Sequence, residues 1–290
     1  MIRGVMAEAV GQHRVNFICR KKDEVSMNSK EYDQFILEII GNKHIKEGTV
    51  YYDKDYLLSL VISLVNDDLL GKYAGELMEN SQGIKMCSIA SSSRLCYLAS
   101  KELYKDIKEV EKTDIKNGCC HPHYDGYTSS LNAFIFYEFK CHELCDGASH
   151  AKLSKSYMPL LKEYFDIEID NLAFLKFSDF GFDYNNNGTI YDINFDTKQF
   201  ICHILGILSQ ATQENKALLK YVWIIPGYGI NPDLDRFIER IKEQIKIVFD
   251  GFSLTKVKYN GNILNLSDLI VFDLDVVPIT NIKDFILESI

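Results

Sequence analysis

Glu138 and Lys140 stand two residues apart inside an otherwise apolar stretch, Leu131-Asn-Ala-Phe-Ile-Phe-Tyr-Glu-Phe-Lys-Cys-His-Glu143. Side chains alternate across a β-strand. A strand here puts residues 134, 136, 138, 140 and 142 on one face, and Leu131, Ala133, Ile135, Tyr137, Phe139 and Cys141 on the other. Apolar residues on both faces predict a central, covered strand. A carboxylate and an ammonium at the end of such a strand are costly unless paired, hydrogen-bonded or metal-bound, so their presence marks candidate chemistry. The same acid-x-Lys triplet at Asp106, Asp114, Asp196 and Glu214 falls in polar or helical context, where a solvated surface accounts for it.

The chemistry within reach is metal-assisted hydrolysis. Glu138 can give one oxygen to a hard divalent ion such as Mg2+ or Mn2+, and the backbone carbonyl of Phe139 another. Lys140, on the same face, can orient a water or stabilise negative charge developing on a phosphate. A second carboxylate is required. Asp125, in the turn-like His121-Pro-His-Tyr-Asp-Gly-Tyr127 before the strand, is the first candidate, and Asp114 is the reserve. A metal held by two carboxylates keeps waters, one of which can attack a phosphodiester. The competing reading is a buried Glu–Lys ion pair near a sheet edge.

Phe136-Tyr-Glu-Phe-Lys140 preceded by an acidic turn resembles the active-site strand of the PD-(D/E)XK nucleases, the restriction-endonuclease-like superfamily. The motif resemblance covers about residues 120 to 145, and the order helix, strands, helix, strand extends it to about 225. It implies an α/β fold with a restriction-endonuclease-like mixed β-sheet flanked by helices. It also implies metal ligation by the Asp and the Glu, a lysine serving the attacking water, and DNA as substrate in a restriction, defence or mobile-element setting. An acidic residue on a preceding helix, Glu102 or Glu76, would match the family's pattern, and a homodimer is compatible with it. The chain departs from the pattern in two ways. No Pro-Asp dipeptide precedes the strand, since Pro122 and Asp125 are separated, and Asn132 stands where a carboxylate could help. The first metal ligand therefore stays open between Asp125 and Asp114. A catalytically inactive nucleic-acid- or protein-binding module on the same fold is the alternative.

Further residues could serve DNA. His142 shares the face of Glu138 and Lys140 and could contact phosphate. Lys152 and Lys155, with the amides of Ser156 and Tyr157 at a helix start, could hold another. Gln199 could touch a backbone or base edge, although its capping-box position after Asp196 already accounts for it. Cys119, Cys120, His121 and His123 precede the strand, and Cys141, His142 and Cys145 follow it. A zinc-stabilised α/β scaffold built from them is a third reading. It is not favoured, because the spacings are not those of paired zinc ligands. Reduced thiols packed as small apolar residues are the expectation.

The 290 residues are 47% hydrophobic and carry net charge −9, which weighs mildly against a broad nucleic-acid surface but suits a carboxylate-rich site. No run is long and apolar enough for a membrane span, and the N-terminus lacks a signal-peptide pattern, so a cytoplasmic protein is expected. The pattern predicts an N-terminal helical region over 1–110 packed on an α/β core over 111–290. Helices are expected over about 30–40 (Ser29 as N-cap), 54–79, 91–109, 157–165, 198–211 and 234–249, and from 281. Strands are expected over 131–142, 172–177, 189–195, 222–225, 253–258 and 268–274, with 110–128 as polar turns and Asp273 and Asp275 at a strand end.

Overall fold

The structure, a computed structural model, describes residues 26–41, 43–47, 49, 53, 55, 79–80, 83–112, 122–129, 133–145, 157–165, 176–178, 181–183, 195–210 and 216–282. The protein is α/β. At its centre is a mixed sheet of β1 (Glu109–Lys112), β2 (Tyr124–Ser129), β3 (Ala133–Lys140), β4 (Lys216–Ile225) and β7 (Ile270–Pro278), in the order β7-β4-β3-β2-β1. The first three strands run antiparallel in sequence order, and β3, β4 and β7 are mutually parallel. Parallel neighbours need a crossover. α4 (Thr197–Gln210) lies between β3 and β4, and α5 (Pro232–Ser253) lies between β4 and β7. A small antiparallel hairpin of β5 (Lys256–Tyr259) and β6 (Asn262–Asn265) follows α5. The remaining described helices are α1 (Ser29–Ile40), α2 (Ser92–Glu102) and the short α3 (Met158–Tyr164).

β3 is the middle strand, as its two apolar faces predict. One face meets α4 and α5: Phe200 packs against Tyr221, Phe249 and Phe272 at ring separations of 5.9, 5.3 and 5.0 Å. The other meets α2 and the chain leaving it, where Tyr104 packs against Tyr137 and Phe139 at 5.5 and 5.8 Å. Gly126 is required on that side: a Cβ there would sit 3.0 Å from Ile107 Cδ1 and 3.3 Å from Tyr137 Cβ. α1 docks across the C-terminal end of the sheet. Tyr32 stacks on Trp223 at 6.4 Å and donates its hydroxyl to the carbonyl of Ile224 at 3.0 Å. Described residues from before and after position 110 thus share one core.

Several expected elements change. α1 is capped by Asn28 rather than Ser29, because Asn28 accepts the amide of Glu31 while Glu31 reaches back to the amide of Asn28. Its C-cap, Gly41, has φ 78. α2 stops at Glu102, and the stretch expected to be turns contains β1 and β2. Glu-Val-Glu-Lys makes an edge strand with no period to detect, and Tyr-Asp-Gly-Tyr reads as a turn while lying in a sheet. β4 is ten residues long, not four. Residues 189–194 and most of 54–79, of 172–177 and of the terminal helix lie outside the described residues. Among the described residues no helix is long and apolar enough to cross a membrane.

Candidate active site

Glu138 and Lys140 lie at the C-terminal end of β3, in register with Tyr221 and Trp223 of β4 and on the α4 side of the sheet. Their side chains are 4% and 12% exposed, and Lys140 Nζ donates to Glu138 Oε1 at 2.7 Å. Gln199 closes the group from α4. Its Nε2 donates to the same Glu138 oxygen at 2.8 Å, and its Oε1 accepts from Lys140 Nζ at 2.7 Å. The sequence assigned Gln199 to a capping box. The structure divides that role: Asp196 caps the Gln199 amide at 2.9 Å, while the Gln199 side chain turns into the site instead of back along the helix.

Asp125 reaches the same place by leaving the ladder. Pairing between β2 and β3 runs from Ser129↔Phe134 to Gly126↔Tyr137. One residue further the Asp125 side chain replaces the backbone, its Oδ2 accepting the Phe139 amide at 2.7 Å. Asp125 is buried, and its charge is felt at Lys140. Burial works to lower the Lys140 pKa, but Glu138, Glu143 and Asp125 outweigh it and hold the ammonium well above the usual lysine range. Lys140 is a fixed cation at neutral pH.

The second oxygen of Glu138 is the exception to this economy. Glu138 Oε2 is buried and accepts no hydrogen bond from any described residue. Its neighbour is His203 Nε2, at 3.6 Å. His203 is fully buried on α4, donates from Nε2 to the carbonyl of His123 at 3.2 Å and receives the Tyr221 hydroxyl at Nδ1, 3.5 Å away. Burial pushes its pKa down, against Glu138 pulling it up, and the net shift is downward, so the imidazole is neutral. A neutral ring does not compensate a carboxylate, and a buried carboxylate oxygen without a partner costs free energy.

His203 was missed from the sequence, although it lies four residues after Gln199 and so on the same helix face, in a helix otherwise apolar nearly all round. Asp33 was missed too. It is buried on α1 and holds His142 Nδ1 at 2.9 Å. His142 therefore does not continue the face of Glu138 and Lys140: β3 ends at Lys140, and His142 opens a short 3-10 turn, His142–Leu144. Phe139 is fully buried. Lys152, Lys155, Ser156, Asp114, Glu76, Cys119, Cys120 and His121 lie outside the described residues. Glu102 is exposed at the end of α2, and His123 is exposed before β2. Cys141 and Cys145 are buried thiols. Burial pushes the Cys141 thiol up, reinforced by Glu143 and Asp33. Asp273 and Asp275 are not at a strand end but inside β7, where each binds Lys220 Nζ at 3.0 Å.

Among the described residues no set of three or more His, Cys, Asp or Glu side chains is arranged to hold a metal ion. Two carboxylates are the usual protein share for Mg2+, which fills the remainder of its shell with water and substrate phosphate. The hard-oxygen donors of Asp125 and Glu138, one with a buried oxygen lacking a partner, fit such an ion. Compared with protein-family models, curated proteins and solved structures, the chain matches none.

Proposed function

We propose that this chain is a Mg2+- or Mn2+-dependent nuclease that hydrolyses DNA phosphodiester bonds on a restriction-endonuclease-like core. One observation carries the reading. Asp125, Glu138, Lys140 and Gln199, drawn from two strands and a crossover helix, meet at the end of the central strand, and a buried Glu138 oxygen there has no hydrogen-bond partner. The sheet supports it: a helix leads into three antiparallel strands, and after α3, a small hairpin over 176–183 and the crossover helix α4 comes a strand parallel to the third, which carries the acid-x-Lys pair. Asp125 and Glu138, with the carbonyl of Phe139, would hold the metal, which supplies positive charge and an acidified water. Lys140 orients water and offsets charge on the phosphate, and it is kept cationic by its carboxylate neighbours. Gln199 fixes both side chains. Lys152 and Lys155 are phosphate contacts in this reading, and a homodimer on DNA fits it.

A second reading, a non-catalytic binding module, is favoured by the engagement of Asp125 with the Phe139 amide. Cleavage assays decide between them. Plasmid and linear DNA are incubated with the full chain and Mg2+, Mn2+ or chelator. Metal-dependent cleavage is expected, with Glu138→Gln lowering it ~10²-fold or more while DNA binding, supplied largely by other phosphate contacts, persists. Binding without cleavage under every metal would leave the binding module standing. Cleavage by Glu138→Gln at the parent rate would place the chemistry elsewhere.

A further inference from the structure

Two oxygen acceptors face one imidazole nitrogen inside the site. Glu138 Oε1 is taken by Lys140 and Gln199, at 2.7 and 2.8 Å, so Oε2 is the oxygen left over. It lies 3.6 Å from His203 Nε2, and no described residue hydrogen-bonds it. The carbonyl of His123, two residues before Asp125, lies 3.2 Å from the same nitrogen. One Nε2–H serves one acceptor well, and the carbonyl is the nearer, which leaves the carboxylate oxygen unserved. A cation satisfies all three atoms at once, since carboxylate, carbonyl and neutral imidazole are ordinary metal ligands. Atoms sharing one first-row ion at ~2.1 Å stand roughly 3.0 to 3.5 Å apart, the scale of both separations here. The ring is also held in place. His203 is buried on α4 one turn after Gln199, with the Tyr124 and Tyr221 rings 4.8 and 6.5 Å away. The Tyr124 hydroxyl donates to the His203 carbonyl at 2.7 Å. Burial keeps the imidazole neutral, the form that ligates. Its Nδ1 is 3.5 Å from the Tyr221 hydroxyl, whose oxygen can accept Nδ1–H once Nε2 has given up its proton.

We propose that His203 Nε2, with Glu138 Oε2 and the carbonyl of His123, ligates the ion of this site and makes the site selective for a transition ion such as Mn2+ over Mg2+. This rests on the metal-dependent nuclease reading above and adds to it a ligand and the class of ion. Two side chains and a carbonyl leave the rest of the shell to water and substrate. On binding, the imidazole proton moves from Nε2 to Nδ1, and none is released. Ligation at Oε2 leaves the Lys140 and Gln199 bonds to Oε1 in place. Nitrogen donors suit first-row transition ions, whereas Mg2+ takes oxygen and keeps its waters, so the nitrogen is what discriminates.

The test titrates the full chain, stripped with chelator, with Mn2+ under electron paramagnetic resonance. The free ion gives the continuous-wave signal, and pulsed detection reports nitrogen bound to the ion. A bound Mn2+ coupled to nitrogen is expected, displaced by Mg2+ only at ~10²-fold excess or more. His203→Gln is expected to lose the nitrogen coupling and to bind Mn2+ ~10²-fold more weakly, with its Mg2+ affinity changed by less than about threefold. His123→Ala keeps its carbonyl and should keep the coupling. If His203→Gln fails to fold, Tyr221→Phe decides, because removing the acceptor of Nδ1–H shifts the nitrogen quadrupole splitting when the bound imidazole is His203. An unshifted splitting then overturns the proposal. So does bound Mn2+ without nitrogen coupling, or a coupling that survives His203→Gln, and either leaves the nuclease reading to its cleavage assay. Mn2+ held through His203 by a chain that cuts no DNA means that the nuclease reading has failed and the ligand stands. If no Mn2+ binds at millimolar concentration, the ligand is overturned.

Discussion

The two faces of the central sheet each carry a lysine set against two acceptors, and they differ in one respect. On the α2 side, Lys220 Nζ lies 3.0 Å from both Asp273 and Asp275, and Tyr104 donates to Asp275 at 2.9 Å. The lysine side chain is 19% exposed and its partners are 44% and 35% exposed. On the α4 side, Lys140 is shared between Glu138 and Gln199, deeper in the protein, and Glu138 keeps a buried oxygen that nothing described bonds. The first network is wet: its carboxylates are partly in solvent, which can satisfy the oxygens that Lys220 and Tyr104 do not. The second is dry and incomplete. Folding alone favours the first arrangement, so the second is the one that requires a functional explanation.

Neutralising the two lysines tests this contrast most strongly. Lys140→Ala is expected to lower DNA cleavage ~10²-fold or more, as for loss of a group that stabilises charge in the transition state. Lys220→Ala should leave the rate within about twofold of the parent, since its partners face away from the site and solvent screens them. Equal losses in single-turnover rates would erase the distinction. Stability should follow the same order. Lys140→Met strands a buried carboxylate and is expected to cost ~3 kcal/mol in urea unfolding, against ~1 kcal/mol or less for Lys220→Met. If the second costs more, the wet network is the structural keystone and the dry one is incidental.

Gln199→Ala sharpens the account of the incomplete side. It removes the amide that bridges Glu138 and Lys140 while leaving the Asp196 cap intact. A cleavage loss of ~10-fold is expected, the scale of a positioning rather than a reacting group. A loss confined to helix content would return Gln199 to a capping role. The smallest effect is in pH. The folded-state pKa of His203 is lowered by burial, so the unfolded chain binds the proton more readily. Its share of stability is therefore complete above the unfolded value near ~6.5 and is lost as pH falls toward the folded value. Metal-free unfolding midpoints should fall between pH 7.5 and 5.5 more steeply for the parent than for His203→Gln. Parallel curves would mean the ring is not a buried neutral group.

The central strand was legible because burial on both faces writes a continuous apolar run, and two charges inside such a run are conspicuous. The edge strand β1 was not, since a four-residue Glu-Val-Glu-Lys strand is too short and too polar to show a period. Asp125 was found for its chemistry in a segment taken for a turn, because Asp and Gly report local backbone freedom and not the tertiary ladder that β2 joins. Gln199 was ambiguous in principle: the third residue of a helix is both the capping-box position and, here, the position nearest the site. Asp33 did leave a trace, standing at the i position of the apolar set Ile36, Leu37 and Ile40 on α1. Its partner His142 could not be inferred, because the pair is 109 residues apart in the chain.

The crossover from β3 through α4 to β4 also bears on how the chain folds. Glu138 and Asp125 belong to one local hairpin, whereas Gln199 lies 61 residues beyond Glu138 and binds it only when α4 has docked. Until then the carboxylate is hydrated, with Lys140 of its own strand as its one local partner among those that hold it in the folded site. The same event dries Glu138, seats His203 beside it and brings Gln199 to Lys140, so the electrostatic burden of the site falls on a late, long-range closure rather than on the early hairpin. Substitutions at Glu138 should accordingly alter the speed of α4 docking more than that of hairpin formation. Placing a buried carboxylate and ammonium at the strand end is then also a brake on the chain's own collapse.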